Sequence, residues 1–280
     1  MKKFALSLAL LAAAFITVAS AENEDAVPIA KNKELVVLLH GLGRSASAMW
    51  LLASRLEDEG YHVERIGYSS LTQTPQQILT DVSLKIQECC AAHPRAVHFV
   101  GHSFGGLLVR AYLQENKPSN LGRVVLMGTP NQGTEIVDAY RDRWWMQLAG
   151  PTALALGTDD DSFPNSLSDP YYPVGVIAGA RERNGTTSEI LPGRDDGLVS
   201  VASTRLNGMT DFVVVDTGHA SMRYSKEVAA LVITFLNTGS FRRAAVTTNC
   251  YFTGLPRDPL LPANPLSSVP TNGNPRPCAQ

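Results

Sequence analysis

The stretch with the strongest chemical content is Gly101-His102-Ser103-Phe104-Gly105-Gly106. The serine lies two residues after one glycine and two before another. An apolar, β-branched run precedes it (Val97 to Val100), and a helical pattern follows from Leu107 to Gln114. A strand that turns sharply into a helix lifts a serine hydroxyl clear of the sheet and forces strained backbone at the turn. The residues two before and two after are then crowded, which is why glycine is needed at both places. Gly106 would let the helix approach the neighbouring strand closely. The chemistry this suggests is nucleophilic attack by Ser103.

A serine hydroxyl is a weak nucleophile near neutral pH and needs a base within hydrogen-bond reach, oriented in turn by an acid. The six histidines are His40, His62, His93, His98, His102 and His219. With the order nucleophile, acid, histidine, only His219 qualifies, because it alone follows Ser103. It lies just past a predicted strand, in Asp216-Thr217-Gly218-His219-Ala220-Ser221. The acid must come between the two. Asp196, in Gly193-Arg194-Asp195-Asp196-Gly197-Leu198, has a glycine beside it that permits a tight turn. Its rivals are Asp195 and, after the preceding strand, Asp138. Charge building on a carbonyl oxygen needs fixed donors. The backbone N–H of Phe104 is one candidate. The other is the N–H of Leu42, in the loop His40-Gly41-Leu42-Gly43-Arg44 after the first strand. His40 and His102 read as structural residues.

The elements that would position these groups alternate in type. Strands are expected at 35–40, 62–68, 96–100, 123–127, 172–180 and 211–216. Helices are expected at 45–59, 75–92, after the serine, and at 221–237. Continuous apolar strands such as Leu35 to Leu39 suit burial on both faces. The alternation predicts an α/β domain with a mostly parallel central sheet flanked by helices. The rhythm breaks between Glu135 and Tyr171, where Trp144, Trp145, Met146, Leu148 and Phe163 suggest a short cap over the site. Trp144 and Trp145 are the expected walls of a substrate pocket. The run Asp159-Asp160-Asp161 lacks the alternate spacing of a calcium loop and reads as a solvated turn.

The 280 residues are 44% hydrophobic and 18% charged, enough for a full core. A net charge of −2 leaves no basic footprint for nucleic acid. Lys2 and Lys3 precede an apolar run to about Val18 and then Ala19-Ser20-Ala21. That order predicts a cleavable signal at 1–21, a mature chain from Glu22, and a secreted or periplasmic location. Export would permit disulfides among Cys89, Cys90, Cys250 and Cys278. Neighbouring Cys89 and Cys90 look awkward to bridge, whereas Cys250 and Cys278 bracket a proline-rich tail. None has zinc-site spacing with histidine. Residues 22–240 form the expected domain and 241–280 the tail, with seven prolines from Pro256 to Pro277.

Taken together, VVLLHGLG, FVGHSFGG, VVLMGTPNQGTE, DDGLVS and DTGHASM resemble the α/β-hydrolase superfamily, and within it bacterial serine lipases and esterases. The resemblance spans about Glu34 to Asn237. It implies Ser103, Asp196 and His219 as a catalytic triad, Leu42 and Phe104 as oxyanion donors, and hydrolysis of acyl esters through an acyl-serine. It implies no cofactor; no metal is predicted, because the calcium-supporting aspartates of some bacterial lipases have no counterpart by motif here. The insert is shorter than the lids of many lipases. The expected partner is an acyl ester or lipid, with transient contact to a lipid surface and no obligate protein partner. Acyl transfer, thioester hydrolysis and amide hydrolysis by the same three residues are the alternatives. A non-catalytic binding protein on this scaffold is disfavoured because all three residues are present. Chemistry that uses an aspartate at the turn is excluded by Ser103.

Overall fold

The computed structural model describes residues 34–90, 92–181 and 190–242. The predicted signal at 1–21, Cys250, Cys278 and the proline-rich tail beyond Arg242 lie outside the described residues.

Six strands form one sheet in the order β2-β1-β3-β4-β5-β6. They are β1 (Leu35–Leu39), β2 (His62–Ile66), β3 (Val97–His102), β4 (Leu121–Met127), β5 (Val174–Gly179) and β6 (Asp211–Val215). Every neighbouring pair is parallel. Each of the six expected strand positions is occupied, with ends shifted by a few residues.

Parallel strands need crossovers, and helices supply them on both faces. Helices α1 (Trp50–Asp58) and α7 (Lys226–Thr238) cover one face. On the other lie α2 (Pro75–Cys90) and α3 (Phe104–Glu115). The pleat of β1 sorts its side chains accordingly: Val36 and Leu38 face α1 and α7, while Leu35, Val37 and Leu39 face α2 and α3. All five are at most 1% exposed, which accounts for the unbroken apolar run. The insert folds as three short helices, α4 (Glu135–Tyr140), α5 (Trp144–Gln147) and α6 (Pro151–Leu154).

Cys89 and Cys90 are bonded to each other, at the C-terminal end of α2. Adjacency makes such a bridge unusual but does not prevent it.

Strand order reverses between β1 and β3: the chain leaves β1 for the edge at β2, then crosses back. In open parallel sheets such a reversal opens a crevice at the strands' C-terminal ends. The loops after β1 and β3 meet there. Packing at this point leaves no room for a methyl group. A Cβ on Gly105 would overlap the carbonyl oxygens of Leu39 and His40, and one on Gly106 would overlap the Thr129 side chain. Gly105→Ala is therefore expected to cost about 3 kcal/mol or more, because the obstacle is sheet backbone that cannot rotate away. Urea denaturation of the variant checks this.

Three fully enclosed histidines, His40, His98 and His102, also bear on stability. Burial, the largest influence on each, holds all three below the ordinary value of 6.5. Between the folded and unfolded values, only the unfolded chain binds the proton. Stability is thus complete above about 6.5 and declines as the pH falls below it. Each histidine that stays neutral steepens the fall by up to about 1.4 kcal/mol per pH unit. Thermal melting between pH 7 and pH 5 should show a falling Tm.

Candidate active site

Ser103 sits between the end of β3 and the start of α3 with φ 56° and ψ −127°. Among the described residues it is the only non-glycine with positive φ. Side chains rarely adopt this conformation, and it is sustained because the surroundings over-determine it. A Cβ on Gly101 would overlap the backbone of Gly105 and Gly106, so the turn is closed tightly on both sides.

His219 follows β6 and reaches back over the sheet. Its Nε2 is 2.9 Å from Ser103 Oγ, and its Nδ1 is 2.7 Å from Asp196 Oδ2. A carboxylate accepts only, so Nδ1 carries the proton and donates to it. Nε2 is left with a lone pair to accept from the serine hydroxyl. The other Asp196 oxygen, Oδ1, accepts from the N–H groups of Leu198 (3.0 Å) and Val199 (2.9 Å). Both oxygens of this buried carboxylate are thereby satisfied. Backbone bonds brace the assembly. His219 N–H donates to Asp196 O at 2.8 Å, and Ser103 N–H donates to Met127 O at 2.9 Å.

The two rival acids are engaged elsewhere. Asp195 Oδ1 accepts from Gly197 N–H at 2.7 Å. Asp138 is held by the Thr158 hydroxyl at 2.6 Å and by Arg141 at 2.9 Å. Asp159 pairs with the same arginine at 2.6 Å.

His102 does more than fill space. Its Nε2 is 2.9 Å from the carbonyl oxygen of His219, and the two rings lie 4.9 Å apart. A carbonyl accepts, so Nε2–H donates. Burial first, then the neighbouring His219, hold the ring well below its ordinary value, so it stays neutral. His40 is structural, as expected: its ring stacks on Tyr68 with centroids 3.9 Å apart, and the Tyr68 hydroxyl donates to its carbonyl.

Leu42 lines the cavity that opens at Ser103, and Gly41 lies so near that a Cβ there would be 3.1 Å from Ser103 Cβ. Phe104 is the first residue of α3, where backbone N–H groups lack intrahelical acceptors. The cavity is about 310 Å³. One wall comes from the insert and is aliphatic, with Ile136, Val137, Met146, Ala149, Ala153 and Leu156. Trp144 and Trp145 do not line it, contrary to expectation. They are 77% and 45% exposed. On the four-residue α5 the inward position is Met146, and Trp145 instead packs its ring, tilted by 50°, against Tyr140 with centroids 5.1 Å apart. Arg44 and Arg223 also line the cavity and were not expected there. The only hint in the sequence is that Arg223 falls one helical turn after His219.

The fold resembles that of solved lipases and a phospholipase. Residues 35–166, just under half the chain, match the family model for palmitoyl protein thioesterase. No curated protein sequence matches the chain. Among solved structures, the mature form of lipase BlEst2 from Bacillus licheniformis aligns with TM-score 0.57 and 21% identity, over 74% of this chain and 92% of that one. Phospholipase PlaB from Legionella pneumophila aligns with TM-score 0.52 and 14% identity, over 74% of this chain and 57% of that one. Lipase B from Aspergillus fumigatus gives TM-score 0.51 and 17% identity, over 73% and 52%. The chain spans little more than half the length of the last two. The chain therefore has the α/β-hydrolase fold.

Proposed function

We propose that the protein hydrolyses carboxylic acyl esters through an acyl-enzyme on Ser103, with His219 as general base and acid and Asp196 as its orienting partner. The observation that carries this reading is the unbroken series Asp196–His219–Ser103, at 2.7 and 2.9 Å, opening into an aliphatic cavity.

In the first half-reaction His219 Nε2 takes the serine proton as Oγ attacks the ester carbonyl. Asp196 stabilises the imidazolium that forms. The oxygen, now negative, is received by the N–H groups of Leu42 and Phe104, which need no reorganisation to accept it. His219 then gives its proton to the departing alkoxide, and the carbon–oxygen bond breaks. In the second half the same nitrogen takes a proton from water as its oxygen attacks the acyl-serine, and then returns that proton to Ser103 Oγ as the acyl carbon–Oγ bond breaks and the acid leaves. The acyl chain lies along Met146, Leu156 and their neighbours.

A second reading, thioester hydrolysis, is favoured by the match of residues 35–166 to the palmitoyl protein thioesterase model. The mechanism is unchanged except that a thiolate leaves. Initial rates on an octanoyl p-nitrophenyl ester and an octanoyl thioester separate the two. A kcat/KM at least tenfold higher for the ester supports the first reading, and the reverse order supports the second. A protein active on neither, and unlabelled by a fluorophosphonate, would sink both. Export by a cleaved leader is a further part of the proposal. N-terminal sequencing of protein recovered outside the cytoplasm should begin at Glu22.

A further inference from the structure

Two arginines share the cavity with the reactive serine, and the mechanism above uses neither. Arg223 is 5% exposed. Its Nη1 donates to Ala48 O at 3.2 Å, and its guanidinium carbon lies 4.9 Å from the centroid of the Tyr224 ring. Its Nε is enclosed and has no acceptor. Arg44, on the exposed loop after β1, lies close enough to disfavour the charge on Arg223, adding to the larger effect of burial. Among the described residues, no carboxylate pairs with either.

Enclosing a cation beside a second cation, with no anion to offset them, is costly. A purely structural arginine in this protein looks different. Arg110 is also buried, with an unpartnered Nε and, among the described residues, no paired carboxylate, but it spreads its guanidinium over Asn131 O and Oδ1 and Leu167 O, at 3.0–3.2 Å, and does not line the cavity.

Their placement gives the two charges a direction. His219 Nε2 must protonate the departing atom, so the leaving group lies against the wall that carries His219. Ala220 and Arg223, which follow His219 in the chain, line the same cavity, as do Gly41, Leu42 and Arg44. The aliphatic wall is supplied by another part of the chain, the insert. The insert thus lines the cavity with aliphatic side chains, while the two arginines come from the segment that carries His219 and from the loop after β1.

We propose that Arg44 and Arg223 form an anion subsite for the leaving group, so that the preferred substrates are acyl esters or thioesters whose alcohol or thiol carries a phosphate. This rests on the serine-hydrolase reading above. Guanidinium groups suit phosphate because their N–H donors match its oxygens in pairs. The phosphate takes no part in bond making: the acyl carbon–oxygen or carbon–sulfur bond breaks, His219 supplies the proton, and the phosphate departs with the alcohol or thiol. Two sources present this chemistry, a lysophospholipid headgroup and a phosphorylated thiol carrier.

Matched substrate pairs test it. Octanoyl-coenzyme A against octanoyl-N-acetylcysteamine varies the phosphates on a thioester. Octanoylglycerol 3-phosphate against monooctanoylglycerol varies it on an ester. In at least one pair the charged member should have a kcat/KM about tenfold or more higher, carried by KM and reduced by salt. Arg44→Gln and Arg223→Gln should each bring that ratio towards one. Because the readout is a ratio within one protein, partial loss of folding divides out, and Arg44 is on an exposed loop where substitution is tolerated. The pair that responds identifies the source. A ratio within twofold of one in both pairs, in protein that turns over the neutral members, overturns the subsite and leaves the hydrolase reading standing.

Calorimetric titration with inorganic pyrophosphate probes the subsite without turnover. Saturable binding that weakens at least tenfold in Arg44→Gln supports it. No binding at millimolar concentration, or binding that neither substitution weakens, overturns it.

Discussion

Ser103→Ala is expected to lower turnover of an acyl ester by about 10⁶, equivalent to about 8 kcal/mol of transition-state stabilisation. The loss is so large because Oγ is the atom that would become bonded to the acyl carbon, and nothing else near His219 Nε2 can replace it. The remaining hydrogen bonds of the site are independent of the hydroxyl. Asp196 keeps its bonds to His219, Leu198 and Val199. The variant should therefore fold with an unchanged Tm and bind substrate with a KM-like affinity while failing to cleave it. A p-nitrophenyl octanoate assay, sensitive to one part in 10⁶ of wild-type turnover, checks the size of the effect. Wild-type activity in the purified variant would remove Ser103 from the mechanism.

Asp196→Asn should cost about 10⁴ in kcat, with only a small change in KM. The substitution nearly preserves shape, but an amide presents both a donor and an acceptor. If the amide nitrogen faces His219, Nδ1 must become the acceptor and Nε2 then carries the proton. A protonated Nε2 cannot receive the serine proton. If the amide oxygen faces His219 instead, the Leu198 and Val199 N–H groups confront an N–H₂ where Oδ1 had accepted both. Either way the negative charge that stabilises the imidazolium is gone. Asp195→Asn and Asp138→Asn should leave turnover within a factor of about three, since their carboxylates bond elsewhere. A pH–rate profile of all three variants compares them directly.

The sheet was readable because its inner parallel strands, such as β1 and β5, are buried on both faces and apolar throughout, whereas the edge strand β2 carries Glu64 and Arg65 and is only partly buried. The serine was readable because a sharp strand-to-helix turn imposes glycine at fixed offsets. His219 was readable because it is the sole histidine after Ser103. The acid was narrower ground. Asp195 and Asp196 are adjacent, and which one faces His219 depends on the turn through Gly197, whose φ is 100°.

The cavity wall was misjudged for a related reason. Large aromatic residues suggest a pocket, but on a helix as short as α5 one residue's rotation decides what faces inward, and Met146 does. Arg223 was missed because a charged residue beside a loop normally reads as solvated, and its enclosure depends on Ala48 and Tyr224 closing around it. The Cys89–Cys90 bond was not legible, because four cysteines allow three pairings and general geometry makes a bridge between neighbours rare without forbidding it.

Three struts of the site, His219 N–H to Asp196 O, His102 Nε2–H to His219 O and Ser103 N–H to Met127 O, run through backbone atoms or a neighbouring ring, and none of them uses the Ser103 hydroxyl. The scaffold is thus indifferent to whether the enzyme works. A catalytically silenced version should remain a faithful mould of the active one, which makes it a tool: incubated with an extract of lipids or acylated carriers, it would retain its natural ligand intact for mass spectrometry.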